Sequence, residues 1–249
     1  MDIHKPKPWH GVREFLKEYL IIVIGVLTAL AGEQAVEGLH RAEQARLAER
    51  AMRLELAADD GPQAYGRALV ARCFDKRIAQ IHDGAFAAPT DQLRQWTAAY
   101  LPPFRTWDSE AWKAVLSSDV GNFMGAERLV DWSAAYRIVP GVSDANAHES
   151  ELAAELRSAL PPSGEATAAD RQNVRRLAGL LRFSNDRLAR GSQLLLARTR
   201  PLDATLSVAT QQALLSRARA LYGDCVVAPN LAAPPAAQDL SANLRGIDH

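Results

Sequence analysis

The sequence predicts an all-α protein in which an N-terminal transmembrane helix continues into a stalk and a multi-helix bundle. An uncharged apolar run lies near the N-terminus, and Ala-rich segments with helical periodicity follow it. No segment alternates apolar and polar residues over the length of a strand. We predict five segments: an N-terminal tail (1–14), a transmembrane helix (15–36), a helical stalk (37–60), a helical bundle (61–225) and a disordered tail (226–249).

The apolar run from Tyr19 to Gly32 contains 14 residues. At about 1.5 Å per residue it covers roughly 21 Å of a hydrocarbon core about 30 Å thick. When the run is extended to Phe15 and Val36, the helix is long enough to span the hydrocarbon core. The charged and polar residues of this extension lie in its end turns, where long side chains can reach the headgroups: Lys17, Glu18, Glu33 and Gln34. We therefore expect residues 15–36 to span a lipid bilayer.

Two other interpretations of this run stay open. A basic segment before a short apolar stretch also outlines a secretory signal, and the stretch from Thr28 to Ala31 offers small residues at cleavage spacing. Alternatively, residues 19–32 form the core helix of a soluble cytoplasmic bundle. The helical pattern that continues past Ala31 without a break favours the span.

The N-terminal residues also resemble those of known proteins. The matching residues are His4-Lys-Pro-Lys-Pro8, His10-Gly11, Arg13-Glu-Phe-Leu16, Glu18-Tyr19, the Ile-Val-Ile-Gly-Val-Leu core, Ala29-Leu30 and Glu33-Gln34. This pattern resembles an uncharacterised family of bacterial single-span membrane proteins, over roughly residues 1–60 and more weakly around Trp107 to Trp112. The resemblance implies a membrane anchor and no particular activity.

The charges that flank the run favour a cytoplasmic N-terminus. Lys17 abuts the run on its N-terminal side, whereas the acidic Glu33 follows it and Arg41 lies well beyond. Cytoplasmic flanks carry the excess of Lys and Arg in single-span proteins. We therefore expect a bacterial inner-membrane protein whose C-terminal domain lies in the periplasm.

Helix breakers divide the rest of the chain into helical elements. The stalk is expected to end or kink at Asp59-Asp-Gly-Pro62, and Pro140-Gly141 is expected to be a break. The predicted helices run from Gln63 to about His82, from Pro89-Thr-Asp91 to before Pro102, from Asp108-Ser109 through Leu116, from Ser143 to Leu160, from Ala168 to Arg198 and from Leu202 to Leu221.

Residues 96–136 hold most of the aromatic side chains of the predicted bundle. They are Trp96, Tyr100, Phe104, Trp107, Trp112, Phe123, Trp132 and Tyr136. Aromatic residues dominate ordinary helical cores, which favours a packing role. The alternative is a ligand pocket, because pockets are often aromatic.

One predicted helix could present an acid/base or metal site. Asp144, His148, Glu151 and Glu155 share one face at helical spacing. A di-iron bundle would also need Glu-x-x-His motifs, and the sequence contains none. A solvated polar face is therefore favoured, and an enzyme with its site at the His148 face or the aromatic residues is the alternative. We predict no catalytic, cofactor-binding or metal-ligating residues.

Basic residues are concentrated in one region of a chain whose 29 Lys and Arg balance 29 Asp and Glu. Residues 171–200 hold eight Arg and one Asp. Such a strip could bind phosphates, anionic lipid or an acidic partner. No nucleic-acid recognition motif accompanies it, so we favour a solvated or salt-bridged face and expect no nucleic-acid partner.

Cys73 and Cys225 are the two cysteines of the chain. In an exported domain a disulfide between them would tie the last helix to the second one. Two separate buried thiols are the alternative, since free cysteines are commonly buried.

Small residues within the run suggest a contact between helices. Gly25, Ala29 and Gly32 lie on nearly one face, which would allow two spans to approach closely in a homodimer. For the protein as a whole, we expect a non-enzymatic interaction, scaffold or sensor-like module that contacts another membrane or periplasmic protein or a small ligand.

Overall fold

The computed structural model describes residues 11–231, and all regular secondary structure within that range is helical. The predicted all-α class is therefore confirmed. The described α-helices are α1 (Val12–Glu55), α2 (Gly61–Gly84), α3 (Thr90–Ala98), α4 (Glu110–Ser117), α5 (Ala126–Tyr136), α6 (Val139–Ser158), α7 (Ala168–Thr199) and α8 (Val208–Tyr222). Most of the predicted N-terminal tail and of the predicted disordered tail lies outside the described residues.

Helix α1 has 44 residues and is therefore about 66 Å long. Its N-terminal part is long and apolar enough to cross a membrane, and none of its most apolar stretch is buried. Val12, Ile21 and Ile22 are among its most exposed apolar side chains. The first buried residue is Met52, where the helix reaches the bundle. A core helix of a soluble protein would instead be mostly buried.

The predicted interruption at Asp59–Pro62 is a wide helical turn, and the chain stays helical through it. Leu56–Asp60 form a π-helical turn in which the Gly61 N–H donates to the Leu56 carbonyl. Pro62, which has no N–H to donate, is thereby accommodated in the first turn of α2. The stalk was expected to end or kink at Asp59–Pro62. The chain instead stays helical there, and the π-helical turn shifts the helical register between α1 and α2.

Helices α2 and α7 pack together, with α6 against α7 and α8 against α2. The apolar positions of α7 that recur every three or four residues face this core, as their spacing predicts. They are Val174, Leu177, Leu181, Leu188 and Leu195, and Ser184 completes the series. Phe74 and Ile78 of α2 and Leu156 of α6 meet them in the interior.

The short helices α4 and α5 attach the end of α1 to the bundle. The Ala111 N–H of α4 donates to Glu55 Oε2 at 2.7 Å, and the Tyr136 hydroxyl of α5 donates to the Met52 carbonyl at 3.1 Å. Arg128 of α5 pairs with Glu49 at 3.0 Å. These contacts hold the C-terminal end of α1 against the packed domain.

Helix α5 has no counterpart in the prediction, and two predicted helices begin several residues away from their expected starts. Helix α6 begins at Val139 because Pro140 occupies its first turn, where a missing N–H costs nothing. Helix α8 begins at Val208, six residues later than expected. A 3₁₀ turn and Asp203, which has a left-handed φ of 55°, precede the Ser207 N-cap.

Candidate functional site

A buried ion pair lies where α2, α6 and α7 meet. An Nη2 hydrogen of Arg67 donates to Glu149 Oε1 at 2.7 Å, and the same nitrogen lies 2.8 Å from Asn185 Oδ1. Both charged side chains are almost fully excluded from solvent, with exposures of 0% and 1%. The Tyr100 hydroxyl donates to Glu149 at 3.4 Å. Polar and charged side chains of three helices and the loop after α3 thus form one network.

Arg105 adds a second positive charge near this network. Burial raises the pKa of Glu149, an effect that Arg67 opposes. Burial, and then the Arg67 charge, lower the pKa of Arg105 to about 10, so that Arg105 stays protonated at neutral pH. Glu149 is paired directly with Arg67. No described carboxylate forms an ion pair with Arg105.

A cavity of about 370 Å³ lies beside Arg105, between α2, α8 and the loop before α4. Its apolar wall consists of Pro62, Val70, Pro103, Leu214, Ala218 and Leu221. The polar side chains that line it are Gln63, Arg105, Arg217 and Tyr222, and none of them is acidic. The cavity therefore combines hydrocarbon surface with two guanidinium groups.

Two contacts fix Arg105 at this cavity. Its Nη1 donates to Gln63 Oε1 at 3.3 Å, and its carbonyl accepts from Asn146 Nδ2 at 3.1 Å. Gly66 gives the guanidinium room, because a Cβ there would lie 3.1 Å from Nη1. The Arg105 Nε is buried without a hydrogen-bond partner among the described residues. Arg105 thus has unused donor capacity.

Cys73 and Cys225 are joined in the structure, with sulfur atoms 2.05 Å apart and Cα atoms 5.0 Å apart. The link connects α2 to the turn that follows α8. Beyond it, the Val227 N–H donates to the Leu69 carbonyl at 3.2 Å. The link therefore holds α8, one wall of the cavity, against α2.

The small residues of the apolar run are open to the surroundings. Gly25, Ala29 and Gly32 are exposed, and a Cβ at either glycine would meet nothing within 4 Å. This surface is free of contacts with the rest of the described chain.

The polar face of α6 around His148 lies in solvent. Asp144, His148, Glu151 and Glu155 are all exposed, and His148 Nδ1 lies 3.6 Å from Glu151. No group of three or more His, Cys, Asp or Glu within residues 11–231 is placed to hold a metal ion. Glu149, on the opposite face of the same helix, is the carboxylate that enters the domain interior.

The aromatic residues divide between core and surface. Tyr100, Trp132 and Tyr136 are buried, and Trp96, Trp107 and Trp112 pack against the same core. By contrast, Phe104 and Phe123 are exposed at 69% and 37%. The cavity beside Arg105 is lined by Tyr222 and by none of the eight aromatic side chains of residues 96–136.

The Arg-rich strip of α7 contains side chains with separate local roles. Arg171 donates to the carbonyls of Ala85 and Ala88 at 2.9 and 2.8 Å. These hydrogen bonds hold the segment that follows α2 against α7. Arg182 pairs with Asp75 at 3.4 Å. Arg175 and Arg187 lie over the rings of Phe86 and Phe183, at 6.0 and 5.9 Å.

Arg67, Glu149 and Arg105 were not among the site residues predicted from the sequence. A signal was present for the first two, because each interrupts an apolar stripe at helical spacing. Arg67 stands between Ala64 and Val70, and Glu149 stands in the series Val142, Ala145, Leu152 and Leu156. Arg105 lies in a loop without regular structure, so periodicity could not identify it.

Comparison of the chain with protein-family models, with curated proteins and with solved structures gives no match.

Proposed function

We propose that the protein is a single-pass membrane protein whose helical bundle is a non-enzymatic recognition module of the cell envelope. The observation that carries the proposal is the continuity of α1. Its apolar part is unburied, and the same helix enters the bundle core at Met52. A lipid bilayer would cover such an exposed apolar surface. The bundle would then contact another membrane or periplasmic protein or a small ligand.

We further propose an inner-membrane location with the bundle in the periplasm. Lys17 next to the apolar run and the acidic Glu33 after it support a cytoplasmic N-terminus. The link between Cys73 and Cys225 supports the same orientation, because disulfides persist in oxidising compartments such as the periplasm.

Carbonate extraction of native membranes, followed by intact-mass measurement, tests the anchor. Wild-type protein is expected in the pellet at the mass of the uncleaved chain. The double variant Ile24→Arg, Val26→Arg places two charges in the middle of the span and is expected to be released, because each costs about 3 kcal/mol there.

The matched control for this test is Leu39→Arg. Leu39 is equally apolar and 74% exposed, but lies beyond the expected span, so this variant should stay in the pellet. Release of wild-type protein, or a mass that corresponds to cleavage near Ala31, would contradict the proposed anchor.

We also propose that two spans associate through Gly25, Ala29 and Gly32. The open surface at these positions supports a close helix–helix approach. Leu in place of Gly25 and Ala29 is expected to abolish self-association in a membrane reporter assay. Val23→Leu, on the opposite face, is the control and should leave it intact. An unchanged signal with the first pair would refute this dimer.

A further inference from the structure

We propose that the cavity between α2 and α8 binds a small amphiphilic anion, namely a carboxylate carried on a short hydrocarbon chain. Arg105 would hold the carboxylate, and the apolar wall would hold the hydrocarbon. The inference goes beyond the proposed function, because it concerns the bundle alone and does not depend on whether α1 spans a membrane.

The charge distribution favours an anion. The charge of Arg67 lowers the pKa of Arg105 and Glu149 raises it, but Glu149 already forms an ion pair with Arg67. Arg105 donates to a neutral amide, that of Gln63. Arg105 is partly buried, and a partly buried cation without a paired anion is unfavourable. A bound carboxylate would supply the missing charge.

The donor geometry favours a carboxylate. A guanidinium presents its N–H groups in a planar fork that matches the two oxygen atoms of a carboxylate. Gly66 allows the guanidinium to pack closely against α2, since a Cβ there would lie 3.1 Å from Nη1. Gln63 is the acceptor for Nη1, and Nε has no partner among the described residues. Arg217, which is exposed at the rim, adds a second positive charge at the entrance.

The size and lining of the cavity favour a short hydrocarbon chain. Its volume of about 370 Å³ lies near the lower end of the range for small-molecule sites, roughly 300 to 1,000 Å³. Val70, Leu214 and Leu221 supply aliphatic surface opposite the charged groups. A ligand with one anionic end and one apolar end would satisfy both parts of the lining.

Isothermal titration of the full-length protein in lipid nanodiscs tests the site, with octanoate, octyl phosphate and 1-octanol as probes. Octanoate is expected to bind at least about tenfold more tightly than 1-octanol, which has the same chain length but no charge. A stronger affinity for octyl phosphate than for octanoate would overturn the preference for a carboxylate.

Two variants separate the site from the lipid. Arg105→Met is expected to weaken octanoate binding at least about tenfold, and Arg217→Gln to weaken it severalfold. Arg219→Gln, two residues along α8 and outside the cavity lining, is the matched control and should bind as wild type does. All three proteins sit in the same lipid, so partition of octanoate into the nanodisc cancels.

The melting temperature without octanoate checks that folding is retained. Arg105→Met should not lower it, because the Arg105 side chain donates to Gln63 alone among the described residues. If Arg105→Met unfolds the bundle, the solvent-exposed Arg217→Gln decides the question. Equal octanoate affinities of Arg217→Gln and Arg219→Gln, or of octanoate and 1-octanol in the wild type, would overturn the proposal.

Discussion

The interior of the bundle contains a pair of opposite charges, Arg67 and Glu149, joined by a hydrogen bond. Arg67 and Glu149 are both buried, so neither charge can be solvated by water. Asn185 accepts a second hydrogen bond from Nη2 of Arg67, and its own amide nitrogen donates to the Ala71 carbonyl at 3.2 Å. The Nε and Nη1 atoms of Arg67 are buried without a hydrogen-bond partner among the described residues. Removal of one charge should therefore cost much more than removal of both.

A double-mutant cycle tests this dependence. Arg67→Met alone is expected to lower the free energy of unfolding by about 3 to 5 kcal/mol, because it leaves Glu149 buried without its cation. Arg67→Met combined with Glu149→Leu should restore part of the loss. Chemical denaturation of the full chain in nanodiscs measures both. A double variant as unstable as the sum of the two single variants would contradict the pairing.

Asp60 should make stability depend on pH near neutrality. Burial raises its pKa from the ordinary 3.8 to about 7; the Asp108 N–H, which donates to Asp60 at 3.0 Å, opposes this shift, and Glu55 adds to it. The folded state therefore binds more protons than the unfolded state between these two values. As a result, the contribution of Asp60 is fully present below pH 4 and is lost as the pH rises through 7.

Asp60→Asn is expected to remove this pH dependence while it keeps an oxygen acceptor for the Asp108 N–H. Relative to wild type, the variant should gain about 2 to 4 kcal/mol between pH 4 and pH 8. Melting curves of both proteins across this range provide the comparison, in which the other titrating groups cancel. A stability difference that is constant with pH would refute the shift.

At the scale of elements, the π-helical turn between α1 and α2 needs a glycine. A Cβ on Gly61 would lie 2.5 Å from the Leu56 carbonyl oxygen and 2.8 Å from Leu206 Cδ1. Gly61→Ala is therefore expected to destabilise the protein by about 1 to 3 kcal/mol.

Gly38→Ala is the matched control for this substitution. Gly38 also lies in a helix, but a Cβ there would meet nothing within 4 Å. The control should stabilise α1 by up to about 1 kcal/mol through helix propensity. Equal effects of the two substitutions on the melting temperature would contradict a steric role for Gly61.

The periodicity of apolar residues predicted the helices that have long apolar stripes. It failed where contacts between residues distant in sequence determine the local structure. The α7 series and the start of α7 at Ala168 followed from local sequence, and the Thr167–Asp170 capping box explains the latter. At the π turn, Gly61 lies against Leu206, a residue far away in sequence. The cavity depends on how α8 docks on α2, and no local pattern of residues encodes that arrangement.

At the scale of the whole molecule, the Cys73–Cys225 link closes a loop with a sequence separation of 152. A loop of this length should stabilise the fold by about 3 to 5 kcal/mol. The doubly substituted Cys73→Ser, Cys225→Ser protein is expected to melt at a lower temperature, and reductant should lower the wild-type value to match it.

Two outcomes would contradict a native disulfide. Peptide mapping of the unreduced protein could recover both cysteines as free thiols, or reductant could leave the wild-type melting temperature unchanged. Loss of octanoate affinity on reduction would in addition indicate that the link holds the α8 wall of the cavity in place.

In the proposed arrangement, one continuous helix, α1, crosses the bilayer and holds the bundle outside it. Single cysteines at Val12, Thr28 and Leu39, all exposed positions of α1, can be labelled with a membrane-impermeant maleimide. We predict that Leu39→Cys reacts in intact cells with a permeabilised outer membrane, Val12→Cys reacts only after lysis, and Thr28→Cys reacts only after denaturation. Reaction of Thr28→Cys in native membranes at the rate of Leu39→Cys would contradict the claim.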